Sequence, residues 1–372
     1  MLPYLKRFCE YVLGEPCLTL PAHARESLVE ASLAASRLIG VSRANYAILV
    51  AAKMREAGLP DYLRLAVVNR QSVVLRFEGD HDQSDVLIQD ILKRIPTKDI
   101  RSHCLYGRLL LSRTENAILR KEFDKAAYYL EQWGVKNNPP SRYEFQVVRL
   151  KNTVYGRVSR YLGDFSHACN CLEACLLTSS TDSRYHVMHH LADVYCELGC
   201  AGKAQDLLTN SVENLSARGK QHSKAFRRLL LSLAEAYIQQ LRFKEARAAL
   251  LQLGDIFDGI VGHDVSDQLN HVRSILGQVR IAYSESRWSE ALESSEKAFN
   301  LAQNYKTFSD GNYYTGIILL FRTVIFSELK QLPESRSAFA SAKLCDQGPR
   351  YFIPGIGTYV LQSLRLRIES LQ

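Results

Sequence analysis

One segment of the sequence has the pattern of two amphipathic helices joined by a tight turn. From Lys151 to Leu162 the small and apolar residues follow helical spacing, the pair Gly163-Asp164 interrupts the period, and a second helical pattern starts at Phe165. A helical hairpin of this kind has an apolar face that it cannot bury by itself, so it requires similar hairpins on either side. The segment therefore predicts a chain built from repeats.

The same turn pattern recurs along most of the chain, at intervals of about 42 residues. The turn markers are Gly40, Gly79, Lys121, Gly163, Gly199, Leu241, Ser286 and Lys330. In the clearest repeats a small residue lies midway along the first helix, an aromatic residue follows the turn, and Ala comes three residues later, as at Gly156/Phe165/Ala168 and Ala234/Phe243/Ala246. Parts of this pattern recur at Ala192/Ala204, Phe123/Ala126 and Trp288/Ala291. Because no segment shows the period of two that strands have, the pattern predicts an all-α fold.

In these features the sequence resembles tetratricopeptide-type helical repeat proteins, in a long-period form similar to kinesin light chains and to the sensor regions of signal-transducing multidomain NTPases. The resemblance implies a right-handed superhelical α-solenoid of about eight hairpins with a C-terminal capping helix. We expect a single domain over residues 1–372. Its parts are an N-terminal extension (1–20), the helical repeats (21–345), and an apolar loop with the capping helix (346–372).

Composition agrees with a folded helical protein and gives its expected location. Hydrophobic residues make up 47% of the chain, which is ordinary for a folded protein, and the longest apolar runs are too short to cross a membrane. Lys6 and Arg7 interrupt the apolar N-terminal stretch, so the pattern indicates no secretory leader. The odd number of Cys, nine, at helical positions indicates reduced thiols. We therefore expect a cytoplasmic protein.

The surface best suited to function is the concave face that the first helices of the hairpins form together. Helical spacing from the small residue of each repeat places an arginine-rich set of side chains there. The predicted groove residues are Arg76, Arg108, Arg157, Arg160, Tyr161, His186, His189, Asp193, Tyr195, Arg228, Glu235, Arg273 and Arg280. Guanidinium groups bind carboxylates and phosphates through paired N–H donors. The predicted partner is therefore an acidic or phosphorylated extended peptide.

This interpretation treats the groove arginines as exposed. Arg157→Glu combined with Arg160→Glu is then expected to abolish partner capture and to leave stability nearly unchanged. An alternative interpretation gives several arginines a structural role, because Glu115, Asp193 and Glu235 are placed to pair with them across neighbouring helices.

One helix carries residues that resemble a metal-binding row. His186, His189, Asp193 and Cys196 recur along one face, but a single helix cannot surround a tetrahedral zinc ion and the next first helix offers no matching pair. The sequence also contains no P-loop, dinucleotide-binding, zinc-protease or serine-hydrolase signature. We predict no metal and no cofactor. An enzyme that uses the helical groove as a reaction chamber is kept as an alternative.

A net charge of +8 permits a further alternative, a regulator that binds nucleic-acid phosphates through a basic edge. The strongest basic cluster runs from Arg218 to Arg228. The 39 acidic residues are spread through the same repeats, however, which favours a solvated edge. A scaffold for a protein or peptide partner is therefore the leading prediction.

Overall fold

A computed structural model describes residues 60–94, 104–134 (except 121), 142–260 (except 180), 264–304 and 313–345, with individual residues of 21–33 and 364–369. The helices with full bounds are α1 (Asp61–Phe77), α2 (His81–Arg94), α3 (Cys104–Leu119), α4 (Phe123–Glu131), α5 (Arg142–Tyr161), α6 (Phe165–Thr178), α7 (Thr181–Glu197), α8 (Ala201–Ala217), α9 (Lys224–Gln239), α10 (Phe243–Asp258), α11 (Val265–Ser284), α12 (Trp288–Asn304), α13 (Tyr313–Glu328) and α14 (Leu332–Cys345). None of the described residues lies in a strand, so the predicted all-α fold is confirmed. Within this part of the chain, no helix has the length and low polarity needed to cross a bilayer.

The chain divides into two compact units, Met1–Val158 (unit 1) and Ser159–Gln372 (unit 2), and the division falls within the last turns of α5. In unit 2, α7 packs on α9, α9 on α11, and α11 on α13. In unit 1, α1 packs on α3 in the same way. Each of these is the first helix of a hairpin, so first helices of successive repeats lie side by side within each unit.

The turns inside the hairpins lie where the repeat pattern predicts them. Each turn marker in the described residues has a positive φ: Gly79 (86°), Gly163 (85°), Gly199 (72°), Leu241 (59°), Ser286 (55°) and Lys330 (62°). The N–H of each marker bonds to the carbonyl three residues before it, and the next N–H bonds to the carbonyl five residues before itself. Three of these markers are not glycine, so their residue type alone would not have located the turn. Their position in the repeat did. Gly40 and Lys121 lie outside the described residues.

The small residues midway along the first helices are buried, as the repeat register predicts. Gly156, Ala192 and Ala234 all lie in the interior. Ala192 and Ala234 share one core cluster with Phe226 and Leu250. A small side chain at this position lets the neighbouring helix approach closely.

Residues of the predicted capping helix contact the last described hairpin. Leu364 and Ile368 are buried in the core cluster that contains Phe321 of α13. Arg367, between them, pairs with Glu328 at the end of the same helix. The predicted apolar loop, 348–357, and nearly all of the first predicted hairpin lie outside the described residues.

Candidate functional site

The predicted groove residues fall into two groups, one in each unit. Arg76 on α1, Arg108 on α3 and Arg157 on α5 belong to unit 1, and the other members belong to unit 2. All of them lie on first helices, but their surroundings differ.

The unit 2 group is centred on the carboxylate of Asp193 in α7. Arg160 Nη1 donates to Asp193 Oδ2 at 2.8 Å, and both side chains are only 1% exposed. Arg273 Nη2 lies 3.4 Å from the same oxygen, and the Ser232 hydroxyl donates to Asp193 Oδ1 at 2.8 Å. His189 completes what we term the Asp193 cluster. Side chains from α5, α7, α9 and α11 therefore meet at one buried carboxylate.

Hydrogen-bond geometry determines the proton order in the Asp193 cluster. His189 Nδ1 lies 2.8 Å from Ser232 Oγ, and the single Ser232 proton is donated to Asp193. His189 Nδ1 must therefore carry the hydrogen of the first contact. In a hydrolytic triad the serine donates to the histidine and the histidine donates to the aspartate. Here the serine donates directly to the aspartate, so the arrangement does not activate Ser232 as a nucleophile.

In the Asp193 cluster, attraction between opposite charges offsets the cost of burying each charge. Burial alone would raise the pKa of Asp193, but Arg273, His189, Arg160 and the Ser232 hydrogen bond hold that pKa well below its ordinary range. Burial acts to lower the pKa of Arg273, yet attraction to Asp193 outweighs it and the pKa is raised. The pKa of His189 is lowered well below its ordinary value by burial and by the nearby arginines, despite Asp193. The cluster therefore holds two cations, one anion and a neutral imidazole.

Two further buried ion pairs join neighbouring first helices in unit 2. Arg280 of α11 donates to Glu235 of α9, and Arg227 Nη2 of α9 donates to Asp267 Oδ1 of α11 at 2.8 Å. All four residues are buried. Each pair links two helices that already pack together, so these side chains hold adjacent repeats in register.

The basic segment 218–228 is partly engaged with the start of α11. Lys224 pairs with Asp264, the N-cap of that helix, and Arg228 Nη2 donates to Ser266 Oγ at 2.8 Å. With Arg227 bound to Asp267, these cations contact protein groups, and Arg218 and Lys220 are the exposed Lys/Arg residues that lie before them.

The aromatic groove residues of unit 2 point in different directions. Tyr161 is buried, with the guanidinium carbon of Arg160 at 5.2 Å from its ring centroid. The Tyr195 hydroxyl donates to Glu173 Oε1 at 2.7 Å, and the Lys203 ammonium lies 5.9 Å from the Tyr195 ring. Glu173 and Lys203 belong to the second helices α6 and α8, so Tyr195 lies apart from the Asp193 cluster.

The row of histidines does not suit a cation. Ligand atoms of His189, His190 and Asp193 lie within 4.8 Å of one another. The Asp193 oxygens, however, already accept from Arg160, Arg273 and Ser232. A divalent ion there would face two guanidinium charges at the carboxylate that should bind it. Burial raises the pKa of Cys196 well above its ordinary value, so this thiol also favours its neutral form.

The unit 1 group has three guanidinium groups near one carboxylate. Arg157 Nη1 donates to Glu115 Oε1 at 2.5 Å, with side chains 12% and 21% exposed respectively. Burial lowers the pKa of Arg76, Glu115 opposes the shift, and Arg157 and Arg108 add to it. The Nη1 atom of Arg76 is buried and has no hydrogen-bond partner in the described part of the chain. Among the residues that the structure describes, the group therefore carries more positive charge than Glu115 balances.

The sequence interpretation missed Ser232, Arg227 and Asp267, although a signal for them exists. Partners in the cross-repeat ion pairs are separated by about one repeat period: 42 residues for Arg157 and Glu115, and 40 for Arg227 and Asp267. First helices one repeat apart lie side by side, so opposite charges one period apart meet. A search for such pairs would have found the buried bridges.

Solved structures provide the comparisons for this fold. No protein-family model matches the sequence, and no curated protein matches it significantly. A Rap protein complexed with competence and sporulation factor is 12% identical, with a TM-score of 0.57, and the match covers 84% of this chain and 87% of that one. NprR in complex with its cognate peptide NprX is also 12% identical, with a TM-score of 0.53 and coverage of 82% and 84%.

A third structure extends the likeness over nearly the whole chain. It is a signal transduction ATPase with numerous domains and a tetratricopeptide repeat sensor from Pyrococcus horikoshii, 12% identical, with a TM-score of 0.57. The match covers 98% of this chain and 52% of that one. The resemblance predicted from the repeat pattern is confirmed at the level of the fold, which is a tetratricopeptide-like helical repeat.

Proposed function

We propose that this protein is a helical-repeat scaffold that binds an extended acidic segment of a protein partner on its first-helix surface. The observation that carries the proposal is the contrast among the arginines. Arg160, Arg227, Arg273 and Arg280 in unit 2 are buried against carboxylates, whereas the unit 1 groove residues Arg76, Arg108 and Arg157 are half-buried around Glu115. Guanidinium groups that lack an internal partner and reach solvent are suited to an incoming anion.

The fold supports a peptide as the source of that anion. Among the structures with this fold, one is a complex of NprR with its cognate peptide, and one is a Rap protein complexed with a named factor. Side-by-side first helices form a long surface on which an extended chain can place several side chains. An acidic peptide would thus combine backbone and side-chain contacts with charge neutralisation.

The unit 2 arginines contribute less directly to this function. Arg160 and Asp193 are 1% exposed, so a ligand cannot reach them without opening the interior. We assign them to holding the first helices together. Arg228, His186 and Tyr195 are the half-buried members of the predicted groove in unit 2, and Arg228 Nη1 lies 3.4 Å from His186 Nδ1.

The test is direct binding of degenerate peptides to the full chain. Two fluorescent pools of short peptides, one with Asp and Glu at fixed positions and one with Lys and Arg there, are titrated at physiological ionic strength and followed by anisotropy. The expected result is tighter binding of the acidic pool. Equal binding of both pools, or binding of neither, contradicts the proposal.

A further inference from the structure

The charge surplus of unit 1 indicates what kind of anion the proposed scaffold binds. Glu115 accepts from Arg157, so this pair is internally balanced. Arg76, on α1, and Arg108, on α3, form no ion pair with a carboxylate of the described residues. The carboxylate that attracts Arg76 is the same Glu115. Two guanidinium charges therefore lie beside one completed ion pair.

The state of Arg76 shows that this arrangement is costly without a ligand. Its Nη1 is buried without a hydrogen-bond partner among the described residues, and its guanidinium carbon lies 5.8 Å from the centroid of the Phe77 ring. Arg108 and Arg157 repel it and, with burial, lower its pKa. Removing an ion from water is compensated only when an opposite charge completes its hydrogen bonds. An anion placed at Arg76 would supply that charge.

The site is also accessible. Arg76 and Arg108 are half-buried, and the side chains of Arg157 and Glu115 retain 12% and 21% exposure. The walls provided by packed helices reduce solvent screening, so positive potentials from the three arginines add at this surface. An anion can thus approach from solvent and be partly desolvated when it binds.

Charge matching selects the anion. A carboxylate carries one negative charge, whereas a phosphate monoester carries about 1.5 to 2 at neutral pH and offers three strong acceptor oxygens. We infer that Arg76 and Arg108 bind the phosphoryl group of a phosphorylated peptide segment, beside the Arg157–Glu115 pair. This inference rests on the proposed peptide-binding function and specifies the chemical class of the ligand.

A nucleic acid is a poorer match for the same residues. Each backbone phosphodiester carries a single charge, and binding relies on cations that follow the strand over many phosphates. Arg76, Arg108 and Arg157 instead gather around Glu115. Further along the chain, Lys224, Arg227 and Arg228 of the basic segment are engaged with groups at the start of α11.

The experiment compares three degenerate peptide pools that differ at one fixed position, which holds phosphoserine, Ser or Glu. Binding to the full chain is measured by anisotropy for the parent, Arg76→Gln, Arg108→Gln and the control Arg94→Gln. Arg94 lies on α2 of the same unit, and its side chain is 60% exposed, so the control removes the same charge from outside the site. Inorganic phosphate and a single-stranded oligonucleotide serve as competing ligands.

We expect the phosphoserine pool to bind at least tenfold tighter than the Ser and Glu pools, because a phosphoryl group carries more negative charge and more acceptor oxygens than either side chain. Arg76→Gln and Arg108→Gln should each remove this preference, and Arg94→Gln should keep it. Arg76→Gln should also raise the melting temperature of the unliganded protein, since it removes an uncompensated charge. A purely structural Arg76 would instead lower that temperature on substitution.

Each contrary outcome has a distinct meaning. If the phosphoserine and Glu pools bind equally well and tighter than the Ser pool, and the Arg76 and Arg108 variants keep that affinity, the phosphoryl site is refuted and the acidic-peptide scaffold stands. Equal binding of all three pools contradicts both proposals. If no pool binds, the proposed function itself fails. If inorganic phosphate binds as tightly as the phosphoserine pool, the site is one for small anions and the peptide source is refuted. Oligonucleotide binding that depends on Arg76 and falls steeply with salt would assign the site to nucleic acid.

Discussion

The groove arginines of unit 1 and unit 2 occupy equivalent positions on first helices but lie in opposite electrostatic environments. In unit 2, Arg160 and Arg273 share Asp193, Arg280 has Glu235, and all are buried. In unit 1, Arg157 has Glu115, and Arg76 and Arg108 lie half-buried beside that pair.

Among the described residues, the difference lies in whether a neighbouring first helix supplies an acidic residue. Where a carboxylate faces the arginine from the next first helix, the two side chains form a bridge and can be enclosed by packing. Where it does not, the guanidinium must keep access to solvent or to an external anion, because an unpaired buried charge costs several kcal/mol. Structural and ligand-binding roles can thus arise from the same repeat position.

The difference between the two units can be tested by removing the two carboxylates in turn. Asp193→Asn leaves two buried guanidinium groups without an anion, so we expect a loss of about 3–5 kcal/mol in the free energy of unfolding of unit 2. In Glu115→Gln, Arg157 loses its carboxylate but already has access to water, so we expect a loss of about 1 kcal/mol or less in the free energy of unfolding. Denaturant unfolding, with hydrogen exchange reporting on α7 and α3 separately, measures both.

Asp206→Asn is the matched control for Asp193→Asn. Asp206 is exposed on α8 of the same unit, so the same change of charge should alter stability by less than about 0.5 kcal/mol. Equal stability of Asp193→Asn and Asp206→Asn would mean that the Asp193 cluster does not hold unit 2 together.

A second comparison concerns packing, which is tighter at one glycine of unit 1 than at one of unit 2. A Cβ on Gly107 would lie 2.3 Å from Cε2 of the Trp133 ring, and a Cβ on Gly277 would lie 2.9 Å from Cδ1 of Leu250. The indole is rigid and buried, whereas the leucine methyl can rotate away. Gly107→Ala should therefore destabilise unit 1 by about 1–3 kcal/mol, and Gly277→Ala should stay within about 1 kcal/mol of the parent.

Thermal melts with near-ultraviolet circular dichroism distinguish these two variants, because the Trp133 environment changes only in Gly107→Ala. Similar losses in both would indicate that the Gly277 contact is as rigid as the indole contact. No loss in Gly107→Ala would show that the Trp133 side chain moves freely.

The helices and turns could be predicted from the sequence because both are local properties of the repeat. The phase of the pattern located the turns at Leu241, Ser286 and Lys330 even though none of these residues favours a left-handed backbone. Helix pairing followed from the same phase. These features need only the order of small, aromatic and apolar residues within one repeat.

The surroundings of the groove residues could be predicted only in part. Helical spacing placed Arg160 on the first-helix surface but could not show that neighbouring helices enclose it, and its side chain is 1% exposed. The expectation that Arg157→Glu with Arg160→Glu leaves stability unchanged is therefore wrong for Arg160, because its charge reversal would face Asp193 in the interior. How closely helices from different repeats pack depends on contacts distant in sequence.

Acid provides a third, smaller comparison, through one histidine in each unit. Burial lowers the pKa of His81 to about 4, with Arg120 and Arg76 adding to the shift, and burial also lowers the pKa of His189 well below its ordinary value. The unfolded state takes up a proton near pH 6.5, so stability is lost as pH falls below that value, at up to about 1.4 kcal/mol per pH unit for each group. The His81 contribution ends near pH 4.

Denaturant unfolding between pH 7.5 and pH 4.5 measures this loss. The stabilising contribution of Asp193 stays nearly constant over this range, because a carboxyl with a depressed folded-state pKa loses that contribution only below its unfolded-state pKa of about 3.9. At pH 5.5 we expect roughly 1 kcal/mol less stability from each histidine. His81→Gln should flatten the profile of unit 1, and His189→Asn, which keeps an amide donor near the Nδ1 position, should flatten that of unit 2. An unchanged slope in either variant would contradict the assignment of a neutral buried imidazole.

The smallest expected effects concern the turn residues. The described turn marker of unit 1 is Gly79, whereas three markers in unit 2, Leu241, Ser286 and Lys330, have a left-handed backbone without being glycine. That conformation costs an L-residue roughly 1–2 kcal/mol, and part of this is recovered through the lower entropy of its unfolded chain. Leu241→Gly should therefore stabilise unit 2 by a few tenths to about 1 kcal/mol.

The reverse change at Gly163 completes the comparison. Gly163→Ala has open space for its Cβ, since no atom lies within 4 Å, so only the backbone strain at φ of 85° is tested. We expect a loss of about 1 kcal/mol, measured as a shift in the denaturant midpoint at constant slope. If Leu241→Gly destabilises and Gly163→Ala is neutral, the exposed Leu241 side chain makes contacts that outweigh its strain, and backbone conformation does not decide which residues the hairpin turns accept.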